Sequence, residues 1–235
     1  MSNAIERTQA RVEGFPAIVW GRKSESVYIY VHGRGASKEE AETLALHAAV
    51  KSIQVISFDL PEHGENVRDH YPCSVQNGIE ELRAVLDFAK RRWPRRYLYG
   101  SSLGAYFSLL AYRDEPFVKC LFLSPIVDME KLIRGMMATV AVDENTLRER
   151  GEIPAGGGET LSWDYYRFVR EHPIVKWASP TYILYGTDDT LTDRATLDGF
   201  VARFHCVLEA CPRGEHYFHT ARQLDVLNGW LRRNV

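Results

Sequence analysis

Several things are scarce in this 235-residue chain, and each scarcity removes a class of function. No apolar run approaches the roughly 18 residues of a membrane-spanning helix, and the first residues, "MSNAIERTQARVEG", contain no apolar core of an export signal. Net charge is nearly absent: 29 Lys and Arg face 31 Asp and Glu, a balance of -2. That leaves no electrostatic case for nucleic acid or an anionic membrane. The densest basic run, Lys90 to Arg96, ends a predicted helix, where cations complement the helix dipole and face solvent. Cysteine is sparse and unpatterned: Cys73, Cys120, Cys206 and Cys211 show no metal-type spacing. The expectation is reduced thiols in a cytoplasmic protein, with Cys120 inert inside the apolar "VKCLFL". Internal repeats are missing too. The only low-complexity tract is Gly156 to Gly158, in a "PAGGGET" expected to be a mobile hinge or a disordered surface loop.

What remains is an ordinary globular composition, 45% apolar and 26% charged, enough for one sizeable core. Short apolar runs alternate with helical patterns. "VYIYVHG", "SIQVISFDLP", "YLYGSS", "FVKCLFLSPI", "PTYILYG" and "HCVLEAC" read as strands. Between them lie helices: one from about Ser37, capped by Ser37 with Glu40 at the third position, and one over "SVQNGIEELRAVLDFAKRRW" with Ile79, Leu82, Leu86 and Ala89 on one face. "LGAYFSLLAYR", "DRATLDGFVARF" and a closing segment from about Thr220 complete the set. "RTQARVEGFPAIVWGR" suits a pair of antiparallel strands at the start. Such alternation predicts an α/β fold: a mostly parallel sheet covered on both faces. The rhythm breaks between 127 and 177. The expected organisation is therefore one core domain, residues 1–126 and 178–235, carrying a small helical insertion at 127–177.

Chemistry concentrates at the strand ends. Gly100-Ser101-Ser102-Leu103-Gly104 fits G-x-S-x-G between a strand and a helix. That sharp turn strains the central residue and exposes its oxygen beside a helix N-terminus, where free N–H groups face a developing oxyanion. Taken alone, Ser102 is equally well a helix cap, and Ser101 helps shape the turn. The strand "TYILYG" leads into "TDDTLTD", offering Asp189, with Asp188 as the fallback acid and Asp193 starting the next helix. After the last strand, "CPRGEHYFH" places His216 on a loop, with His219 as the fallback. A serine hydroxyl needs a base, and an imidazole base needs a carboxylate to hold its tautomer. Acid and base arriving at successive strand ends, in the order Ser…Asp…His, tip Ser102 toward nucleophile.

These stretches resemble the α/β-hydrolase fold superfamily, and more narrowly its small bacterial esterase/lipase-like serine hydrolases with a short lid. "YVHGRGAS" resembles the family's His-Gly oxyanion loop, and "DLPEHGEN" its D-x-P-G-H-G-x-S segment. "GSSLG", "YGTDDTL" and "GEHYFH" resemble the nucleophile, acid and histidine loops. Two positions depart: Glu62 stands for the usual glycine and Asn66 for the usual serine. The resemblance implies a backbone oxyanion hole from the N–H groups of Leu103 and Arg34, a structural His32, and residues 127–177 as a lid. Within that lid Met136 and Trp163 are the candidate substrate contacts. The Arg34 side chain is expected to reach solvent, or else to recognise a carboxylate or phosphate. The implied activity is cleavage of a small carboxylic (acyl or aryl) ester through an acyl-enzyme, with no cofactor and no metal. Its partner is a small-molecule ester, and a homodimer stays open. A thioesterase, a small peptidase, or a lyase or perhydrolase on the same fold are the alternatives.

Overall fold

The computed structural model describes residues 5–235. Eight strands form one sheet: β1 (Arg7–Val12), β2 (Phe15–Trp20), β3 (Ser26–Val31), β4 (Gln54–Phe58), β5 (Arg95–Ser101), β6 (Cys120–Leu123), β9 (Thr181–Gly186) and β10 (Val207–Cys211). Their spatial order is β1-β2-β4-β3-β5-β6-β9-β10. β1 pairs antiparallel with β2, and β2 with β4; every later pairing is parallel. The β1–β2 hairpin expected from the sequence closes on Glu13 and Gly14, both at positive φ, the pair of conformations a two-residue hairpin turn requires.

Alternation along the strands decides which helices cover which face. In β3, Val27, Ile29 and Val31 point to one side with Leu82, Val85 and Leu86 of α2 (Val75–Lys90) and the whole buried face of α3 (Leu103–Ala111). Leu197 and Phe200 of α7 (Arg194–Phe204) share that side. Tyr28 and Tyr30 point to the other, toward α1 (Glu42–Val50) and α8 (Ala221–Asn234). On that second face Tyr28 meets Tyr97 and Tyr30 stacks on Tyr99 across β3 and β5, with ring centroids 4.9 and 5.0 Å apart. Strand order reverses at β3, whose neighbours are β4 and β5. Loops leaving the carboxyl ends of β3 and β5 therefore diverge, and the crevice between them is where doubly wound sheets place their sites.

Two sequence expectations need adjusting. Ser37 occupies the cap position in extended backbone, but its hydroxyl makes no capping bond and hydrogen-bonds Glu39 Oε2 instead (2.8 Å). The first turn, Lys38–Ala41, is a tight 3-10 turn before α1, and its Lys38 N–H is given to Asp59 (2.8 Å). The segment 127–177 is also more ordered than its sequence suggests. It contains α4 (Met129–Thr139), α5 (Glu144–Arg150), the antiparallel hairpin β7 (Glu152–Gly156)–β8 (Glu159–Ser162) and α6 (Trp163–Glu171). The three glycines all adopt positive φ at the tip of that hairpin. Ile133, Met137, Leu147, Leu161 and Tyr166 bury against one another and run continuously into the main core.

Candidate active site

Ser102 is the sharpest point of the chain. It lies between β5 and α3 at φ 48°, ψ −117°, a conformation L-residues avoid, held by its N–H donating to Leu123 O (3.0 Å). The following turn packs on the end of β3 so closely that a Cβ on Gly104 would lie 2.3 Å from the His32 carbonyl. Only glycine fits there. The Ser102 hydroxyl makes no capping bond to α3. It lies 2.7 Å from His216 Nε2, and His216 Nδ1 lies 2.7 Å from Asp189 Oδ2. Of the two readings open at Ser102, helix cap and polar partner of an imidazole, the geometry takes the second.

Asp189 is fully enclosed, and every oxygen is used. Oδ1 accepts the N–H groups of Leu191 (2.8 Å) and Thr192 (3.1 Å), leaving Oδ2 to His216. Its loop is pinned in turn by the Thr192 hydroxyl to Pro125 O and by Tyr185 to Thr192 O. The acid and histidine loops also touch directly. A Cβ on Gly186 would fall 2.3 Å from Gly214 O, and Asp188 N–H donates to the same carbonyl (2.8 Å). The fallback residues are elsewhere: Asp188 is exposed beside Thr187, and His219 is exposed against Tyr217 and Glu215.

Opposite them, the loop after β3 approaches Ser102 so closely that a Cβ on Gly33 would be 3.2 Å from the Ser102 Cβ. The N–H groups of Leu103 and Arg34 donate to no protein group among the described residues. His32 sits behind them, buried, with Nδ1 at 2.7 Å from Gly33 O and Nε2 accepting the Leu60 N–H (2.9 Å). Those partners require the neutral ring with its proton on Nδ1. Burial holds its pKa down at about 4, so it stays neutral.

A match to the alpha/beta hydrolase family model spans residues 28–228. The chain belongs to the alpha/beta hydrolase family. No curated protein sequence matches it. Among solved structures, the chain is similar to Est1E from Butyrivibrio proteoclasticus at 18% identity, over 97% of this chain and 96% of that one, with a TM-score of 0.76. A second Est1E structure holds ferulic acid. A putative hydrolase from Agrobacterium vitis S4 reaches 19% identity and a TM-score of 0.77, over 99% of this chain and 100% of the other. The Pyrococcus furiosus esterase Pf2001 reaches 18% and 0.66, over 98% and 90%. At these identities the likeness is one of fold.

In this alpha/beta hydrolase the "DLPEHGEN" loop, whose part was open from sequence, turns out to brace the crevice. The Asp59 carboxylate is completely buried and accepts the Lys38 ammonium (2.7 Å), the Lys38 N–H (2.8 Å) and the Glu65 N–H (3.0 Å). Burial would lower the Lys38 pKa, but the hydrogen bonds to Asp59, Glu65 and Glu39 outweigh it and keep the ammonium charged. Glu62 adopts φ 63°, a left-handed conformation that favours glycine, and its carboxylate accepts the Cys73 N–H (2.8 Å). Asn66 donates to the Asp59 carbonyl (2.9 Å) and to both oxygens of buried Glu81. Burial pushes Glu81 up to about 7, against the hydrogen bonds from Asn66 and the contact with Arg68.

Both candidate substrate contacts pack partly buried against the main core. Met136 lines a cavity of about 370 Å³ between α4 and the acid loop, beside Leu191 and Thr192. Trp163 opens α6 and packs against Tyr166, with ring centroids 6.1 Å apart. The Arg34 side chain does not simply reach solvent; its Nε donates to Glu159 Oε1 at 2.5 Å. Sequence reasoning missed Lys38, Asp59, Glu81 and Glu159. Asp59 lay inside a quoted motif, but the Lys38 that neutralises it is 21 residues away, and no local pattern announces that pairing.

Proposed function

We propose that the protein is a serine hydrolase that cleaves a small carboxylic ester through a covalent acyl-enzyme. One observation carries this reading: the unbroken hydrogen-bond chain from Ser102 through His216 to Asp189, 2.7 Å at each link. In the proposed cycle, Ser102 Oγ bonds to the ester carbonyl carbon as its proton passes to His216 Nε2. Enclosed Asp189 keeps the Nδ1 proton in place and stabilises the imidazolium. The carbonyl oxygen, now negative, takes the N–H groups of Leu103 and Arg34, which have no acceptor among the described residues. Collapse breaks the bond to the alcohol oxygen, and the alcohol leaves with the proton from His216. Water then attacks the acyl-enzyme, gives a proton to His216, and the carboxylic acid departs as Ser102 recovers its hydrogen. The scheme uses protein groups and one water per turnover.

Residues 127–177 are read as the cover of this site. Support comes from Met136 standing beside the acid loop and from Glu159 reaching the oxyanion loop. A panel of nitrophenyl esters of rising chain length, with a hydroxycinnamoyl ester added because Est1E holds ferulic acid, defines the acyl group. Acyl-CoA and aminoacyl-amide substrates separate thioesterase and peptidase from esterase. The decisive variant is Ser102→Ala. Turnover and fluorophosphonate labelling should both vanish while circular dichroism and melting are retained. Full labelling of that variant would sink the reading.

A further inference from the structure

Arg34 performs one task with its backbone in the proposed cycle, and its side chain has a second. Gly33 abuts Ser102, so the Arg34 side chain leaves the main chain one residue from the nucleophile. Its guanidinium is half exposed and uses one of its five N–H donors, the Nε, on Glu159 at the start of β8. The terminal Nη groups donate to no protein acceptor among the described residues. This is a cation held at the mouth of the site by a single carboxylate, with its paired fork of donors still free.

The walls around it are short of acceptors as well. Tyr106 is one helical turn beyond Ser102, 2% exposed, and its hydroxyl has no partner. A buried hydroxyl without a partner is costly to the fold, and such groups commonly await a ligand or a water. The half-buried Tyr165 makes no side-chain hydrogen bond among the described residues. Burial and the neighbouring phenol of Tyr106 push its pKa well up, and the charges of Arg34 and Glu159 act on it too. Tyr106 stands on α3 directly after Ser102, and Tyr165 on α6 directly after the β8 strand whose Glu159 holds Arg34, which places this region between the loop after β3 and the β7–β8 hairpin.

We infer that this region binds a carboxylate carried by the substrate: the enzyme's ester is a half-ester of a dicarboxylic acid, whose free carboxylate displaces Glu159 from Arg34. The inference rests on the esterase reading above. A single guanidinium matches a single negative charge, and the resident partner is already a carboxylate. Exposed ion pairs contribute little, so Glu159 yields readily to a ligand that also excludes water from the pair and reaches the Nη donors. Glu159 is then a built-in competitor that keeps Arg34 aimed at the site between turnovers.

Monomethyl adipate and methyl hexanoate, matched in length, form the test pair, read by acid release. Arg34→Gln keeps the backbone N–H, and the ratio of kcat/KM for the adipate half-ester over the hexanoate should fall at least tenfold, with Arg34→Lys between. Glu159→Gln should raise that ratio several-fold through a lower KM. Calorimetry on Ser102→Ala, with and without Arg34→Gln, reads monomethyl adipate binding apart from turnover, and the second change should cost about tenfold in affinity. An unchanged ratio in Arg34→Gln, or equal affinities in the two Ser102→Ala proteins, overturns the inference. So does inorganic phosphate competing as well as adipate, since the site then reads a dianion. If wild type hydrolyses neither ester and takes no fluorophosphonate, the esterase reading fails, while the calorimetric comparison still decides the carboxylate site.

Discussion

The two sides of Ser102 are held by different kinds of force. On the acid–histidine side, backbone does the holding: Gly186 and Gly214 are in van der Waals contact, Thr187 and Asp188 donate to Cys211 and Gly214, and both carboxylate oxygens of Asp189 accept bonds inside the fold. Toward the oxyanion loop, side chains take over. A buried Lys38–Asp59 pair and the His32 ring fix the loop from behind, and an exposed Arg34–Glu159 pair ties its outer edge to the hairpin. Backbone contacts at close range leave no alternative geometry. Ion pairs at the surface are weak and exchangeable. The fold thus holds the Ser102–His216–Asp189 hydrogen-bond chain by stiff contacts and the outer edge of the loop after β3 by exchangeable ones.

Breaking the stiff side should cost most. Asp189→Asn removes the acceptor that fixes the His216 tautomer, and kcat should fall by about 10⁴-fold with little change in KM, measured on any ester the wild type turns over. Next comes the brace of the oxyanion loop. Lys38→Met strands the Asp59 carboxylate in the interior, and chemical denaturation should register a loss of about 3–5 kcal/mol. The double variant Lys38→Met with Asp59→Leu should recover much of it, since no unpaired charge is left behind.

A smaller, pH-dependent effect belongs to Glu81. Its folded pKa of about 7 lies above the ordinary value of 4.5, so between those values the folded state binds more protons than the unfolded chain. Stability from this group is therefore full below about pH 4.5 and declines as pH rises toward 7, by of order 2–3 kcal/mol. Denaturation midpoints at pH 5 and pH 8 should diverge less in Glu81→Gln than in wild type. The smallest effect lies at the exchangeable edge. Glu159→Ala should change stability by about 1 kcal/mol or less, with the melting temperature almost unmoved. A large drop there would abolish the contrast between the two sides.

Most of the fold was legible because strand and helix periods differ and the apolar runs follow them. The β1–β2 hairpin, the parallel strands and the amphipathic face of α2 at Leu82, Leu86 and Ala89 all lie where the pattern put them. Ile79 is only half buried, at the end of that face. The insertion was harder. α4 to α6 have short apolar stripes, and "PAGGGET" has a composition shared by hairpin tips and loose loops; only pairing of Ile153 with Leu161 separates the two. Ser102, Asp189 and His216, which the structure brings together, stood out because a sharp strand-to-helix turn and loops after strands leave local marks.

By itself, then, the sequence determined the order of elements, the sharp turn at Ser102, and which residue types reach the carboxyl end of the sheet. These depend on neighbours along the chain, through backbone sterics and periodic burial. Only the tertiary structure decided between Asp188 and Asp189, between His216 and His219, and between solvent and Glu159 for Arg34. Each of those choices turns on a distance between atoms 27 to 125 residues apart. Hydrogen bonds and ion pairs act over a few ångströms of space, and no spacing in the chain encodes them.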